Sequence, residues 1–149
     1  MSNNPFKDVN QLSGNDGMVW WNDRPLYELE EFSLKVSTQR SDVQFIGEMG
    51  VGSKVTGYKG DGSMSIKKIW SMNFADYLAE FKAGRDPRSV IIGKLGGEDA
   101  YNGQSERISV GDVWLSELQL MNIKNGPLTS DIPFGFNPDS VSYLDRIEA

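Results

Sequence analysis

The stretch GEMGVGSKVTGYKGDGSMSIKK, residues 47–68, sets glycines around a lysine and a hydroxyl, the composition of a phosphate-cradling loop. Such a loop requires G-x-x-x-x-G-K-[ST] between a strand and a helix, so that backbone N–H groups, the lysine and the helix N-terminus converge on the phosphates. Here Ser53 stands where the lysine belongs and Lys54 where the hydroxyl belongs. The continuation, rich in glycine and β-branched residues, does not open a helix. It has period two instead: Tyr58, Met64 and Ile66 alternate with Lys59, Asp61, Ser63, Ser65 and Lys67. That is a strand with one apolar and one polar face. Gly57, Gly60 and Gly62 weaken it and suit a bend or a close approach to its backbone. Residues 47–55 then read as a long mobile connection between two sheet strands, of the kind that serves binding.

Outward from this strand the same patterns recur. MVWWNDRPLYELEEFSLKVSTQ (18–39) gives a short strand, a turn at Asn22 and Asp23, and a longer strand with Phe32, Leu34 and Val36 on one face and Glu31, Ser33, Lys35 and Ser37 on the other. Trp20 and Trp21, being adjacent, face opposite sides, so one of them belongs to the core of this sheet. NFADYLAEFKAGRDP (73–87) is the one convincing helix, with Asn73 and Asp76 as a capping pair and Phe74, Tyr77, Leu78 and Phe81 as an apolar stripe for the sheet. Gly84 and Pro87 end it. SVIIGKL (89–95) and ERISVGDVWLSELQLMNIKNG (106–126) read as strands around the turn GGEDAYNGQ (96–104), with a bend between Val113–Leu115 and Leu118–Leu120. The tail, 129–149, groups Pro133, Phe134 and Phe136 with a turn at Asn137–Asp139 and offers Val141, Leu144 and Ile147 for docking. The polar first 17 residues read as an arm ordered only when something holds it.

A chain of 149 residues has the size of one domain, and four Trp, seven Phe and five Tyr supply a core. The absence of cysteine removes disulfides and thiolate metal sites. The absence of histidine removes the commonest general base and metal ligand, which closes most routes to catalysis. The acids Glu30, Glu31, Asp61, Glu98 and Asp99 are scattered among turns and strand faces and read as solvated surface. A net charge of −6 argues against a tight grip on nucleic acid but not against nucleic acid passing nearby. No secretory or membrane-spanning run is evident, so the expectation is a protein made and kept in the cytoplasm. Two long two-faced strands and one helix leave a polar face and sheet edges to explain. Either the face meets bulk water, or copies add edge to edge and the face lines a channel.

The order GMVWWNDRPLYELEEFSLKV (17–36), the glycine loop leading into KVTGYKGDGSMSIKKI (54–69), the aromatic helix and a closing DIPFGFNPDSVSYLDRI (131–147) resembles the tail tube protein of Gram-positive contractile phage tails, PBSX-like defective prophages and phage-tail-like bacteriocins. The resemblance covers nearly the whole chain. It implies a mainly β subunit with one flanking α-helix, a β-sandwich or barrel whose sheets join in a hexameric ring, and rings stacked into a hollow tube for DNA or ion passage. It also implies a structural role with no catalytic, metal or cofactor site. Lumen candidates by this resemblance are Ser33, Lys35, Lys59, Asp61, Ser63, Ser65 and Lys67. The inter-ring loop would be Gly47, Glu48, Met49, Gly50, Val51, Gly52, Ser53 and Lys54. The lysines depart from a strongly acidic lining, so a negative lumen would need acids from other loops. Implied partners are further copies, the tail sheath, the tape measure in the lumen, and baseplate and terminator proteins, with DNA only in transit and no membrane. The implied location is a virion or bacteriocin particle assembled in the host cytoplasm. Alternative readings are a type VI secretion tube protein and a monomeric ligand-binding β-barrel lined by Trp20, Trp21, Tyr58 and Trp70.

Overall fold

Asn22 and Asp23, at φ 50° and 66°, reverse the chain between β1 (Met18–Trp21) and β2 (Arg24–Pro25). This left-handed pair is what a two-residue hairpin turn needs and what Asn and Asp tolerate. The computed structural model describes residues 4–98 and 100–149. After β2 come β3 (Leu29–Val43), β4 (Gly52–Lys67), the helix α1 (Phe74–Lys82), β5 (Ser89–Gly96), β6 (Ser105–Leu115), β7 (Thr129–Phe136) and β8 (Ser142–Asp145). All pairings are antiparallel, in the order β2-β1-β5-β6-β7-β4-β3, with β8 also on β6. The path is open, with β2 and β3 at its ends.

One strand belongs to two sheets. Up to Val113, β6 pairs with β5, and its last residues, Trp114 and Leu115, pair with Gly135 and Phe134 of β7. Just before this handover, between Val110 and Val113, the register with β5 shifts and Asp112 turns to φ 49°, a bulge that bends the strand out of the first sheet and into the second. The apolar faces of the two sheets therefore meet. Val19 and Ile91 from the first, Met64, Ile66 and Ile132 from the second, and Val110 and Val113 at the corner form one buried cluster. Phe32 of β3 reaches across the sandwich to β5, where a Cβ on Gly93 would lie 3.1 Å from its ring.

The strand glycines have a packing reason. Gly60 and Gly62 stand opposite Phe136 and Phe134 of β7, and an added Cβ at either would come within 2.4 Å of the facing ring. The rings occupy the space that side chains would take.

Several expectations change. Helix α1 follows Asn73, but that side chain makes no capping bond, and the helix buries only Phe74 and Tyr77; Phe81 is exposed. Trp21 is the core member of its pair and packs at a tilt against Tyr77, ring centroids 5.8 Å apart, while the Tyr77 hydroxyl bonds Ser89. β6 stops at Leu115, so residues 116–128 carry no strand, and the bend sits earlier, at Asp112. The tail contributes a full inner strand, β7, between β4 and β6. Pro133 is tolerated there because its carbonyl accepts from Ser116 N–H on the β6 side (3.0 Å). N and O of one strand residue point the same way, so its missing N–H faces the place where β6 departs, and the β4 ladder loses nothing. Of the N-terminal arm, residues 4–17 hold two 3-10 turns, Asp8–Asn10 and Gly14–Asp16. Residues 1–3 lie outside the described residues.

The register predicts a stability contrast. Ile66 is 1% exposed, and Ile66→Ala is expected to cost about 2–5 kcal/mol. Gly62→Ala, by forcing the Phe134 ring aside, is expected to cost about 1–3 kcal/mol. Ser65→Ala on the opposite face should stay within about 0.5 kcal/mol. Denaturant melts of the dilute chain measure all three, and a larger loss at Ser65 than at Ile66 would reverse the faces.

Candidate functional site

The β3–β4–β7 sheet turns one face to the core and one outward. In register, Glu31 faces Ser65, Ser33 faces Ser63, Lys35 faces Asp61 and Ser37 faces Lys59. Thus all seven lumen candidates, Ser33, Lys35, Lys59, Asp61, Ser63, Ser65 and Lys67, share the outward face. The Ser33 and Ser63 hydroxyls are 3.3 Å apart. β7 adds Asp131 beside Ser65 and Thr129 beside Lys67. Sequence reading missed these two, although Ser130, Ile132, Phe134 and Phe136 alternate with Thr129, Asp131, Pro133 and Gly135; the proline disguised the strand. The wall therefore carries Glu31, Asp61 and Asp131 against Lys35, Lys59 and Lys67, a balanced set rather than an acidic lining.

Beyond Gly60 and Val36, β3 and β4 leave β7 and run on as a two-stranded ribbon, exposed on both faces over most of its length. Thr56 is an extra residue in β4, its hydroxyl bonded to the Gln39 carbonyl (3.3 Å), and it shifts the register between Gln39 and Arg40. Past this bulge the faces exchange: Val55 now lies opposite Arg40 and Lys54 opposite Ser41. Gly52, Ser53, Lys54 and Val55 are strand residues, so the connection is residues 44–51 only. It is a bonded turn. Glu48 N–H donates to the Phe45 carbonyl (3.1 Å), Gly47 takes φ 89°, and the Gln44 amide donates to the Glu48 carbonyl (2.9 Å). At its tip Ile46 and Met49 are essentially fully exposed, with Phe45 and Val51 beside them. The ribbon thus ends in a cluster of exposed apolar side chains, larger than single scattered ones.

The root of the ribbon is clamped. Tyr58 donates its hydroxyl to Asp139 Oδ1 at 2.5 Å, in the 3-10 turn Pro138–Ser140. Nearby, Trp114 lies over Gly135, and the Arg88 guanidinium stacks on its ring at 4.8 Å while donating to Asp86 (2.7 Å). The aromatics of the ligand-binding alternative do not converge. Trp21 is in the core, and Trp70 lies under Arg24 at 3.9 Å with its N–H on Glu28. Of the four, neither the cleft beside β3 nor the one at the ribbon root takes in more than Tyr58, which lines the latter. Glu30, Glu31 and Glu98 are exposed, Asp61 is half-buried, and Asp99 lies outside the described residues. Among the described residues no group of His, Cys, Asp and Glu is placed to hold a metal.

Residues 4–145 match the family model described as phage tail tube protein. The chain is 26% identical over 134 residues to the uncharacterized protein YqbM of Bacillus subtilis, covering 88% of this chain and 90% of that protein. It is 24% identical over 133 residues to the phage-like element PBSX protein XkdM of the same organism, with the same coverage. Among solved structures, a chain of the anti-feeding prophage tube-terminating cap superposes with a TM-score of 0.68 at 9% identity, over 91% of this chain and 92% of that one. A chain of the sheath–tube complex of an extracellular contractile injection system gives 0.66 at 8% identity, over 91% and 93%. At such identities the likeness is one of fold.

The Tyr58–Asp139 bond has a spectroscopic signature. The carboxylate that accepts the phenol proton, and its negative charge, push the Tyr58 pKa above its ordinary value of about 10. A tyrosine pKa raised by folding stabilises the fold below the unfolded value and loses that contribution as pH rises through the folded one. Ultraviolet titration, with Tyr58→Phe as the difference reference, is expected to show a late-ionising phenol that returns to the ordinary range in Asp139→Asn. Identical titrations of wild type and Asp139→Asn would remove the clamp.

Proposed function

Because the chain belongs to the phage tail tube protein family, whose members are structural proteins and not enzymes, we propose that it is the repeating subunit of the tube of a contractile phage tail or tail-like bacteriocin. In this reading six copies form a ring and rings stack into a hollow tube inside a sheath. The outward face of β3, β4 and β7 lines the channel, and the 44–51 tip seats on the neighbouring ring. The observation that carries the reading is the projecting ribbon. It holds four large apolar side chains, Phe45, Ile46, Met49 and Val51, out from the body of the molecule, at a cost that only burial against another surface offsets.

The channel works by geometry and electrostatics. A polyanion is retained where clustered cations release its counterions. On this wall each lysine has a carboxylate or hydroxyl on the neighbouring strand, with Lys35 opposite Asp61, Lys59 opposite Ser37 and Lys67 opposite Thr129. Alternating charge presents no continuous positive track, so DNA, or a tape-measure polypeptide, slides without being held. The sheath, baseplate and terminator fit as partners because structures similar in fold come from a sheath–tube complex, a baseplate and a tube-terminating cap. The particle is the place of action, with assembly in the host cytoplasm.

Negative-stain microscopy of the purified chain tests the reading: rings or tubes of uniform width are expected at high concentration, and a monomer at every concentration would end it. Ile46→Ser with Met49→Ser should leave the melting temperature within about 2 °C while converting tubes to single rings or free subunits; unaltered tubes would remove the tip from the stacking contact. In assembled tubes, Ser63→Cys should react with small thiol reagents and resist bulky ones, and equal reaction with both would place that face outside.

A further inference from the structure

Six consecutive residues of β3, Leu29–Leu34, line one wall of a cleft of about 810 Å³ whose other walls come from β1, β5 and β6 and the loops beside them. Consecutive strand residues point to opposite faces, so a cleft that meets all of them meets the edge of the strand and not a face. β3 ends the sheet order, with β4 as its single partner strand. Along its other edge, alternate backbone N–H and C=O groups therefore have no strand opposite them. The cleft is apolar within, at Leu26, Leu29, Leu34 and Leu95, and charged at its rim, where Glu30, Glu31 and Glu106 outnumber Lys94. It has the shape for an extended segment that supplies backbone bonds along one side and an apolar side chain at every second position.

Residues 117–123 have that chemistry. The Ser116–Pro133 bond carries β6 one step past Leu115 along β7. Leu118 still packs on the core; Leu120, Met121 and Ile123 are then 55%, 77% and 81% exposed. As a strand, the segment would set Met121 and Ile123 on one face and Leu118 and Leu120 on the other; neither Gly nor Pro stands between Asp112 and Asn125, yet the segment pairs with nothing regular. The exposed apolar tip at 44–51, by contrast, is interrupted by Gly47 and Gly50 and closed by its own turn. A copy does not place 117–123 in its own cleft without crossing the sheet, because β7 and β4 stand between β6 and β3, about 14 Å of strand spacings.

We propose that residues 117–123 of one copy add as a strand to the β3 edge, residues 29–34, of the next copy and fill its cleft, with Lys124 brought to the acidic rim. This rests on the tube reading above and names the segment by which neighbours within a ring join. The two edges differ, so the contact is head-to-tail: every copy gives one and receives one, which closes a ring.

The chain has no cysteine, so introduced thiols report without background. Gln119→Cys combined in turn with Glu31→Cys, Ser33→Cys or Lys35→Cys scans the register, since a disulfide needs Cα atoms within about 7 Å. Oxidising the assembled chain is expected to give a ladder of covalent oligomers for at least one pair, and no ladder from dilute monomer. Hydrogen exchange on the unsubstituted chain needs no variant to fold: amides in 29–34 and 117–123 should slow together, by about tenfold or more, on assembly. Rings seen by microscopy in which either segment exchanges at the monomer rate, or in which none of the three pairs cross-links, overturn the strand addition and leave the tube reading standing. A chain that never assembles overturns both.

Discussion

Phe134 and Phe136 lie across Gly62 and Gly60, and much of the molecule follows from that fit. A slip of β4 by one residue would set the rings against Asp61 or Ser63 and turn Met64 and Ile66 to solvent, so the packing admits one register. With β4 held between β7 and β3, its apolar face closes the sandwich and its polar face is presented outward as a flat wall. The glycines that weaken the strand as an isolated element are thus the ones that make it specific.

A second constraint acts at two bulges. Asp112 lets β6 leave one sheet for the other, which brings the two apolar faces together over a shared core. Thr56 exchanges the faces of β4 past the root, so the balanced pairing of charges on the outward wall does not continue to the tip. Each bulge adds one residue and redirects everything after it.

The two-faced strands were legible because period two needs only the local sequence: Phe32, Leu34, Met64 and Ile66 are found where alternation puts them. So were the Asn22–Asp23 turn, the helix and the outward sharing of Ser33, Lys35 and their β4 neighbours. What failed was non-local. Pro133 kept β7 from being read as a strand, because whether a proline is tolerated depends on which neighbour its absent N–H would have faced. Residues 117–126 read as strand and form none, because a strand exists only with a second strand beside it. The Thr56 bulge has no local signature at all, and Gly52–Val55, which continue β4 beyond it, were counted as loop.

The projecting ribbon has a kinetic consequence. Over its outer half β3 and β4 have only each other, and a two-stranded ribbon is marginal in water and opens at low free energy. In the tube proposed above, the first encounter of two copies would then have to order both ribbons at once. A copy joining the end of an existing tube meets a surface already ordered. Assembly of this kind is a nucleated polymerisation, with a lag that shortens steeply with concentration and vanishes when seeds are present. Where a tube starts, and how many start, is then decided by whatever holds the first ring.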